Sequence, residues 1–221
     1  MSRPALWPLD PPLYVVTDSR WLEGRSLEET VAAAIRGGAG VIQYREKNAS
    51  TRRMVEEASR LCRLCRQEGA VFLVNDRLDV ALAVNAHGIH VGREDMPVAV
   101  ARRILGPGKI VGVSIHDEEE ALRAEKDGAD YLSVSPVYAT STKPDHETPL
   151  GIEGTRKLVQ KTGLPVVAIG GIDESNLAGL IECGIRGICV VSAVMAAPDP
   201  EKKARSLAMR IRQAVESLRG G

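Results

Sequence analysis

Short apolar runs rich in β-branched residues alternate with longer amphipathic segments along the chain, and this alternation constrains the fold more than any other feature. The eight runs are LYVVT (13–17), VIQYR (41–45), VFLVN (71–75), GIHVG (88–92), IVGVS (110–114), YLSVS (131–135), PVVAI (165–169) and GICVV (187–191). Most follow a glycine that ends the preceding helical segment. Strands separated by helices pair in parallel through right-handed crossovers. Eight such units in 221 residues predict a single α/β domain, a (β/α)8 TIM barrel with a parallel eight-stranded sheet.

The segments between the runs carry helix signals. Ser26 with Glu29 forms a capping box, and Asp117 with Glu120 opens the fifth helix. The last helix has an apolar stripe at Ala204, Leu207, Ala208, Ile211, Val215 and Leu218. The alternative is a doubly wound open sheet, which usually has a glycine-rich turn after its first strand, and TDSRW (17–21) is not such a turn. We expect the barrel domain over residues 13–221 and an N-terminal arm over the proline-rich residues 1–12.

Composition and charge exclude several classes of function. Lys plus Arg equal Asp plus Glu at 29 each, so no net charge attracts nucleic acid or an anionic membrane. No apolar run is long enough to span a bilayer, and the N-terminus lacks a signal peptide pattern. The four cysteines are therefore expected to be reduced thiols in a cytoplasmic protein. Cys62 and Cys65 form a C-x-x-C inside a helical pattern, which favours two small buried residues over a redox or metal site.

Polar residues follow the strands at the end of the barrel where active sites lie. Because strand side chains alternate, Gln43, Arg45 and Lys47 share one face of the second strand and its extension. Polar groups pointing into a barrel are costly unless they meet a ligand or one another. The alternative is that this face points to the helices or to solvent.

Two carboxylates are expected at adjacent strand ends. Asp76 follows the third strand and Asp95 lies in the loop after the fourth. Mg²⁺ is usually held by one or two protein carboxylates together with phosphate oxygens of a ligand, so the pair predicts a Mg²⁺ site. Since Asp is also a favoured N-cap, these residues could instead cap the third and fourth helices.

The loops after the last three strands carry phosphate-binding features. After the sixth strand, some fifteen residues precede the next helix, and they include Thr140, Ser141, Thr142 and Lys143. Loops of this length are often functional lids, and we expect residues 139–150 to close over ligands; a flexible surface loop is the alternative. Gly170-Gly171 and Val191-Ser192 end the last two strands, the usual place of a monophosphate site in such barrels.

These features together predict two anion sites and no nucleophile–base pair. Arg45, Lys47, Lys143 and a metal ion suit a diphosphate. For the histidines, including His90 and His116 near strand ends, hydrogen bonding is favoured over general base catalysis. Cations and a metal around a diphosphate favour a reaction in which pyrophosphate leaves.

Seven motifs occur in a familiar order and spacing: QYREK (43–47), NDR (75–77), HVGREDMP (90–97), GVSIH (112–116), SPVYATSTK (135–143), AIGGI (168–172) and VVSAVM (190–195). Over about residues 13–195 the chain resembles the thiamine-phosphate synthases. These enzymes join a pyrimidine methyl diphosphate, the 4-amino-2-methyl-5-pyrimidinylmethyl diphosphate, to a thiazole ethyl phosphate and release pyrophosphate. The resemblance implies two small phosphorylated substrates, Mg²⁺ and a dissociative mechanism.

The resemblance also implies roles for individual residues. The pyrimidine diphosphate would be contacted by Gln43, Tyr44, Arg45, Glu46, Lys47, Asn75, Ser114 and Lys143. Of these, the leaving group would be stabilised or oriented by Arg45, Lys47, Ser114 and Lys143. Thiazole phosphate would be held by Thr140, Ser141, Thr142, Gly171, Val191 and Ser192, and Mg²⁺ by Asp76 and Asp95.

The chain departs from the family at Arg93, where Gln is common. The resemblance therefore does not predict which contact this side chain makes beside Asp95. Two alternative functions are a thiazole phosphate tautomerase and a non-catalytic regulator that senses thiamine phosphates. The tautomerases share the fold but have Gly-His where this chain has Ser135-Pro136. This difference favours the synthase. The sequence does not predict an oligomeric state.

Overall fold

A ring of eight parallel β-strands forms the centre of the computed structural model, which describes residues 7–8, 10–140 and 148–220. The strands are β1 (Leu13–Val16), β2 (Ala39–Tyr44), β3 (Val71–Asn75), β4 (Gly88–Val91), β5 (Ile110–Ile115), β6 (Tyr131–Val134), β7 (Val166–Ile169) and β8 (Ile188–Val190). Each strand pairs with the next in the chain, and β1 also pairs with β8. This closure confirms the predicted barrel and excludes the open sheet.

Helices follow the strands around the ring. Within the described residues they are α1 (Leu27–Arg36), α2 (Thr51–Gln67), α3 (Leu78–Ala83), α4 (Val98–Leu105), α5 (Glu118–Asp127), α6 (Gly151–Lys161), α7 (Leu177–Glu182), α8 (Ser192–Met195) and α9 (Pro200–Gly220). The Ser26 hydroxyl accepts from the Glu29 N–H, and the Asp117 carboxylate accepts from the Glu120 N–H at 2.8 Å, so both predicted caps are confirmed. The sequence did not predict α8, since four residues are too few to show a helical period.

The strand side chains divide between two cores. On β2, Ile42 and Tyr44 pack outwards in the cluster between sheet and helices, whereas Val41 packs in the cluster inside the ring. Both faces of the sheet are buried, one by the helices and the other inside the ring. The strand sequences are therefore nearly continuous apolar runs. Leu218 was predicted in the buried stripe of α9 but is 52% exposed, because it lies in the last turns of this helix, beyond the buried part that ends at Ile211.

Trp7 closes the amino-terminal end of the barrel. Its ring lies 4.2 Å from the Tyr131 ring, centroid to centroid, inside the strand ring. The indole Nε1–H donates to the Arg186 carbonyl at 2.9 Å. At least this part of the predicted N-terminal arm packs on the barrel; the boundary at residue 12 stays a prediction.

The helix with the C-x-x-C motif has the predicted buried face. Cys62 and Cys65 are buried free thiols on α2, and burial raises the pKa of Cys65 to about 12. A thiol with so high a pKa is a poor nucleophile and metal ligand, which agrees with a packing role. Among the described residues, no helix has the length and apolar character needed to cross a membrane.

Candidate active site

One cavity of about 1030 Å³ opens at the carboxyl ends of the strands. Its volume is at the upper end of the range for small-molecule sites, which leaves room for two small ligands. The predicted site residues that line it are Gln43, Arg45, Lys47, Asn75, Asp76, Asp95, Ser114, Thr140, Gly171, Val191 and Ser192. The cavity therefore brings together both predicted anion sites.

The strand order separates the two anion sites within the cavity. In a closed ring of eight strands, β3 and β4 lie across the barrel from β7 and β8, four positions away. The residues after β2 to β5 carry the cations and carboxylates, whereas Gly171 and Ser192 follow β7 and β8. Two phosphorylated groups can thus approach each other from opposite walls.

Alternation along the second strand decides which residues of the segment 43–47 face the cavity. Gln43, Arg45 and Lys47 line it, as predicted. The side chains of Tyr44 and Glu46 are not in the lining, and their expected place among the ligand contacts stays a prediction. The buried Tyr44 hydroxyl donates to Glu57 on α2 at 2.8 Å, and Glu46 accepts from the Ser19 hydroxyl. These side chains point outwards because successive residues of a strand face opposite sides.

Asp18 is a cavity residue that the sequence analysis missed. It follows β1, its side chain is 4% exposed, and its Oδ2 lies 3.1 Å from Nη1 of Arg45. Burial acts to raise the pKa of Asp18, but hydrogen bonds from Arg20 and the charges of Arg20 and Arg45 outweigh it and lower the pKa. Asp18 is therefore ionised and holds the Arg45 guanidinium against the cavity wall. The only feature of the sequence that could have indicated Asp18 as a site residue is its position directly after a strand.

Asp76 and Asp95 both line the cavity, and the two carboxyls interact with each other there. Burial and the Asp95 carboxyl raise the pKa of Asp76, despite the Lys47 ammonium in contact with its Oδ2. Burial also acts to raise the pKa of Asp95, but hydrogen bonds from Asp76 and from the Gly92 N–H outweigh it and lower the pKa. The crowding of two like charges thus raises the pKa of the Asp76 carboxyl, while the hydrogen bonds to Asp95 keep the pKa of its carboxyl low.

Neither carboxylate caps a helix, so the alternative role for this pair is wrong. The helix α3 begins after Arg77 and α4 after Pro97, and neither start has a side-chain cap. Asp76 has a φ of 59°, a left-handed conformation that is uncommon for residues other than glycine. Strain of this kind concentrates at functional sites. The Asn75 side chain donates to Oδ2 of Asp76 at 2.6 Å and so holds the Asp76 carboxyl in place.

His90 and Ser114 lie together on the cavity floor. Nε2 of His90 is 3.0 Å from Oγ of Ser114, and Nδ1 is 2.8 Å from the Tyr131 hydroxyl. Both ring nitrogens are therefore in hydrogen bonds, which agrees with the hydrogen-bonding role predicted for His90. The Tyr131 contact was not predictable, because it joins residues 41 apart in the chain.

The wall after β7 and β8 offers backbone groups. Gly170 and Gly171 have φ values of 105° and 63°, and a Cβ at position 171 would lie 2.5 Å from the Ala139 carbonyl oxygen. Only glycine fits this close approach. The Asn176 side chain donates to the Gly171 carbonyl at 2.9 Å and fixes the turn. On the same wall, Ser192 begins the short helix α8.

Three predicted phosphate ligands, Ser141, Thr142 and Lys143, lie outside the described residues, in the segment 141–147. Most of the predicted lid over residues 139–150 lies there too. Thr140, directly before this segment, lines the cavity.

Arg93, the departure from the resembled family, also lines the cavity. Its Nε donates to Oε1 of Glu120 at 2.7 Å, and Oε2 of the same carboxylate accepts from the His116 N–H. Glu120 thus connects the loop after β4 to the loop after β5.

Comparison with known proteins agrees with this geometry. Residues 13–194 match the family model described as thiamine monophosphate synthase. The thiamine-phosphate synthase of Chloroflexus aurantiacus is 55% identical over 88% of this chain and 90% of its own, and that of Moorella thermoacetica is 47% identical over 94% and 97%. The thiamine phosphate pyrophosphorylase structure from Pyrococcus furiosus superposes with a TM-score of 0.85 and 45% identity, covering 92% of this chain and 96% of that one. A closed barrel, a two-sided cavity and these similarities together show that the chain belongs to the thiamine-phosphate synthase family.

Proposed function

We propose that this cavity is where the chain, a transferase of thiamine biosynthesis, joins the pyrimidine methyl diphosphate to the thiazole ethyl phosphate. The observation that carries the proposal is the grouping of Arg45, Lys47, Asn75, Asp76 and Asp95 on one wall, across from Gly171 and Ser192 in the same cavity. A tautomerase would need a monophosphate site and an acid/base residue, but no metal-binding carboxylates. The relatives named above support neither the tautomerase nor the sensing regulator.

The diphosphate binds to the wall formed by the ends of β2 to β5. Arg45 supplies a guanidinium that Asp18 holds in place, and Lys47 adds a second cation. A guanidinium offers paired N–H donors that suit phosphate oxygens. Asn75 and Ser114 add neutral polar groups beside these cations. The sequence resemblance adds Lys143 to this set.

The two aspartates suit a Mg²⁺ ion. The two carboxylates repel each other, and a divalent cation held by both would neutralise their charges. The described residues contain no cluster of three or more acidic, His or Cys side chains suited to a metal, and Mg²⁺ commonly takes its remaining ligands from water and substrate phosphate. When bound, the ion would neutralise charge that develops on the leaving diphosphate.

The residues of this wall favour departure of pyrophosphate before the new bond forms. The C–O bond between the pyrimidine methylene and the diphosphate breaks, and its electron pair leaves with pyrophosphate. Arg45 and Lys47 stabilise that charge, while Ser114 orients the departing group. The aminopyrimidine stabilises the methylene cation, and the thiazole nitrogen donates its electron pair to form the new C–N bond.

The opposite wall holds the thiazole phosphate. The turn at Gly171 brings main-chain groups against the cavity, and Ser192 follows directly after β8. Backbone N–H groups at such positions bind phosphate in many barrels. Anchoring at this wall directs the thiazole nitrogen towards the methylene carbon, which replaces a bimolecular encounter with a positioned one.

A cytoplasmic location is part of the proposal, supported by four buried free cysteines in the described residues, as expected in a reducing compartment.

The direct test is incubation with both substrates, with Mg²⁺ or with excess chelator, while thiamine phosphate and pyrophosphate are measured. We expect equal amounts of the two products with Mg²⁺ and loss of both with chelator. Asp95→Asn should raise the Mg²⁺ concentration needed for half-maximal rate, because one of two ligands loses its charge. Full activity in chelator would contradict the metal site, and no thiamine phosphate under any condition would contradict the function.

A further inference from the structure

A row of hydrogen-bonding side chains crosses the barrel interior beneath the cavity. Nε2 of Gln43 lies 2.5 Å from the Tyr14 hydroxyl, which lies 2.8 Å from the Tyr131 hydroxyl. The Tyr131 hydroxyl lies 2.8 Å from Nδ1 of His90, and Nε2 of His90 lies 3.0 Å from Oγ of Ser114. Gln43 and Ser114, at the two ends, line the cavity, and the function proposed above uses Ser114 but none of the three residues between them.

The interior of the barrel is built to admit this row. Tyr14 and Tyr131 are 1% and 0% exposed, and His90 is 7% exposed. At Gly112 on β5, any Cβ would lie 2.0 Å from Cζ of Tyr131, so the ring enters only because glycine stands there. A buried polar group without a partner is costly, so every hydroxyl in the row needs its hydrogen bond.

The chemistry of the first side chain gives the row a direction. An amide nitrogen only donates, so Gln43 donates to Tyr14. Burial raises the pKa of both tyrosines, so each keeps its single hydrogen. The distances alone let either tyrosine hydroxyl donate to the other. With the Tyr14 oxygen already accepting from Gln43, the direction that gives each hydroxyl hydrogen an acceptor within the row has Tyr14 donating to Tyr131 and Tyr131 donating to Nδ1 of His90. A neutral imidazole that accepts at Nδ1 carries its hydrogen on Nε2 and donates it to Ser114.

We propose that Tyr131 is a positioning residue that makes Ser114 a hydrogen-bond donor to the diphosphate. Because Ser114 accepts from His90, its own hydrogen is directed into the cavity towards a phosphate oxygen. With the opposite direction, Ser114 would give its hydrogen to His90 and turn lone pairs towards an anion. The inference rests on the proposed function only in placing the diphosphate next to Ser114.

The direction of the row is tested without substrate. In protein labelled with ¹⁵N-histidine, the His90 signals are assigned by their loss in His90→Gln. We expect a hydrogen on Nε2 and a hydrogen-bonded, unprotonated Nδ1, and in Tyr131→Phe the Nδ1 signal should move towards that of a free acceptor. A hydrogen on Nδ1 of the wild type would overturn the proposal, whatever the activity of the enzyme.

The consequence for catalysis is tested by a double-mutant cycle with the holoenzyme in Mg²⁺. Tyr131→Phe should lower kcat about tenfold, a fraction of the 10²–10³ typical for removing a donor altogether. In the Ser114→Ala background the same change should have no further effect, since Tyr131 acts through Ser114. An equal loss in both backgrounds would indicate a merely structural role and refute the proposal.

Tyr14→Phe keeps the test decisive if Tyr131→Phe does not fold. It breaks the row one position earlier and should show the same dependence on Ser114. If Tyr14→Phe folds like the wild type by circular dichroism, yet lowers kcat equally in the wild-type and Ser114→Ala backgrounds, the positioning role is again refuted. A wild-type enzyme with the expected His90 tautomer but no coupling activity would contradict the proposed function and leave the direction of the row intact.

Discussion

Replacement of Asp18 by Asn tests whether a buried carboxylate holds the diphosphate-binding arginine. The side chain of Asp18 is 4% exposed and that of Arg45 is 18% exposed, with 3.1 Å between Oδ2 and Nη1. Hydrogen bonds to charged groups contribute roughly 1.5–3 kcal/mol each, and Asn keeps the shape while it removes the charge. We expect Asp18→Asn to lower the free energy of unfolding by about 2 kcal/mol, or Tm by about 4–8 °C for a chain of this size.

The effect on activity follows from the freed guanidinium. Without its carboxylate partner, Arg45 no longer has a fixed position, so kcat/KM for the pyrimidine diphosphate should fall on the order of tenfold. KM for the thiazole phosphate should not change, because that ligand binds across the cavity. Steady-state kinetics in saturating Mg²⁺ measures both.

The pH dependence supplies an internal check. The pKa of Asp18 is lower in the folded protein than in the unfolded chain. Its stabilising effect is therefore complete above the unfolded pKa and is lost as the pH falls through the folded pKa. The difference in unfolding free energy between wild type and Asp18→Asn should be largest at neutral pH and shrink in acid. Urea denaturation followed by circular dichroism at several pH values measures it.

Asp79 offers a matched control, because its carboxylate pairs with Arg77 at 2.6 Å but is 58% exposed. An exposed ion pair contributes about 0–1 kcal/mol, so Asp79→Asn should change stability little and leave activity as it is. If Asp18→Asn behaves like Asp79→Asn in both measurements, the reasoning about Arg45 is refuted.

Three further predictions follow from single contacts. Arg45→Ala should lower kcat by about 10²–10³ with an unchanged circular dichroism spectrum, and near-normal turnover would contradict departure of pyrophosphate at this wall. Gly112→Ala should destabilise the barrel by at least about 1–3 kcal/mol in urea denaturation, since its Cβ would overlap the Tyr131 ring. Tyr44→Phe should lose about 1 kcal/mol of stability with the bond to Glu57 but keep kcat/KM within about twofold, and a larger kinetic loss would place Tyr44 at the ligand after all.

The barrel could be predicted because its signals are local. A glycine that ends a helix, a β-branched run of four or five residues and a capping Ser or Asp each act within one turn or strand. Chain order then determines the pairing, because each parallel strand joins its neighbour through one helix. Alternation along the second strand likewise placed Gln43, Arg45 and Lys47 on one face, and the structure has them in the cavity.

What the sequence left open depends on residues far apart in the chain. Both interpretations of Asp76 and Asp95, as helix caps or as a pair, fit the same spacing, and only the paired arrangement occurs. Tyr44 and Glu46 belong to the motif that resembles the family, yet the pleat of the strand turns them outwards. The contacts of Asp18 with Arg45 and of Tyr131 with His90 join residues 27 and 41 apart. They form only when the ring closes and brings strand ends together in a low-dielectric interior, where each buried charge or hydroxyl must find a partner.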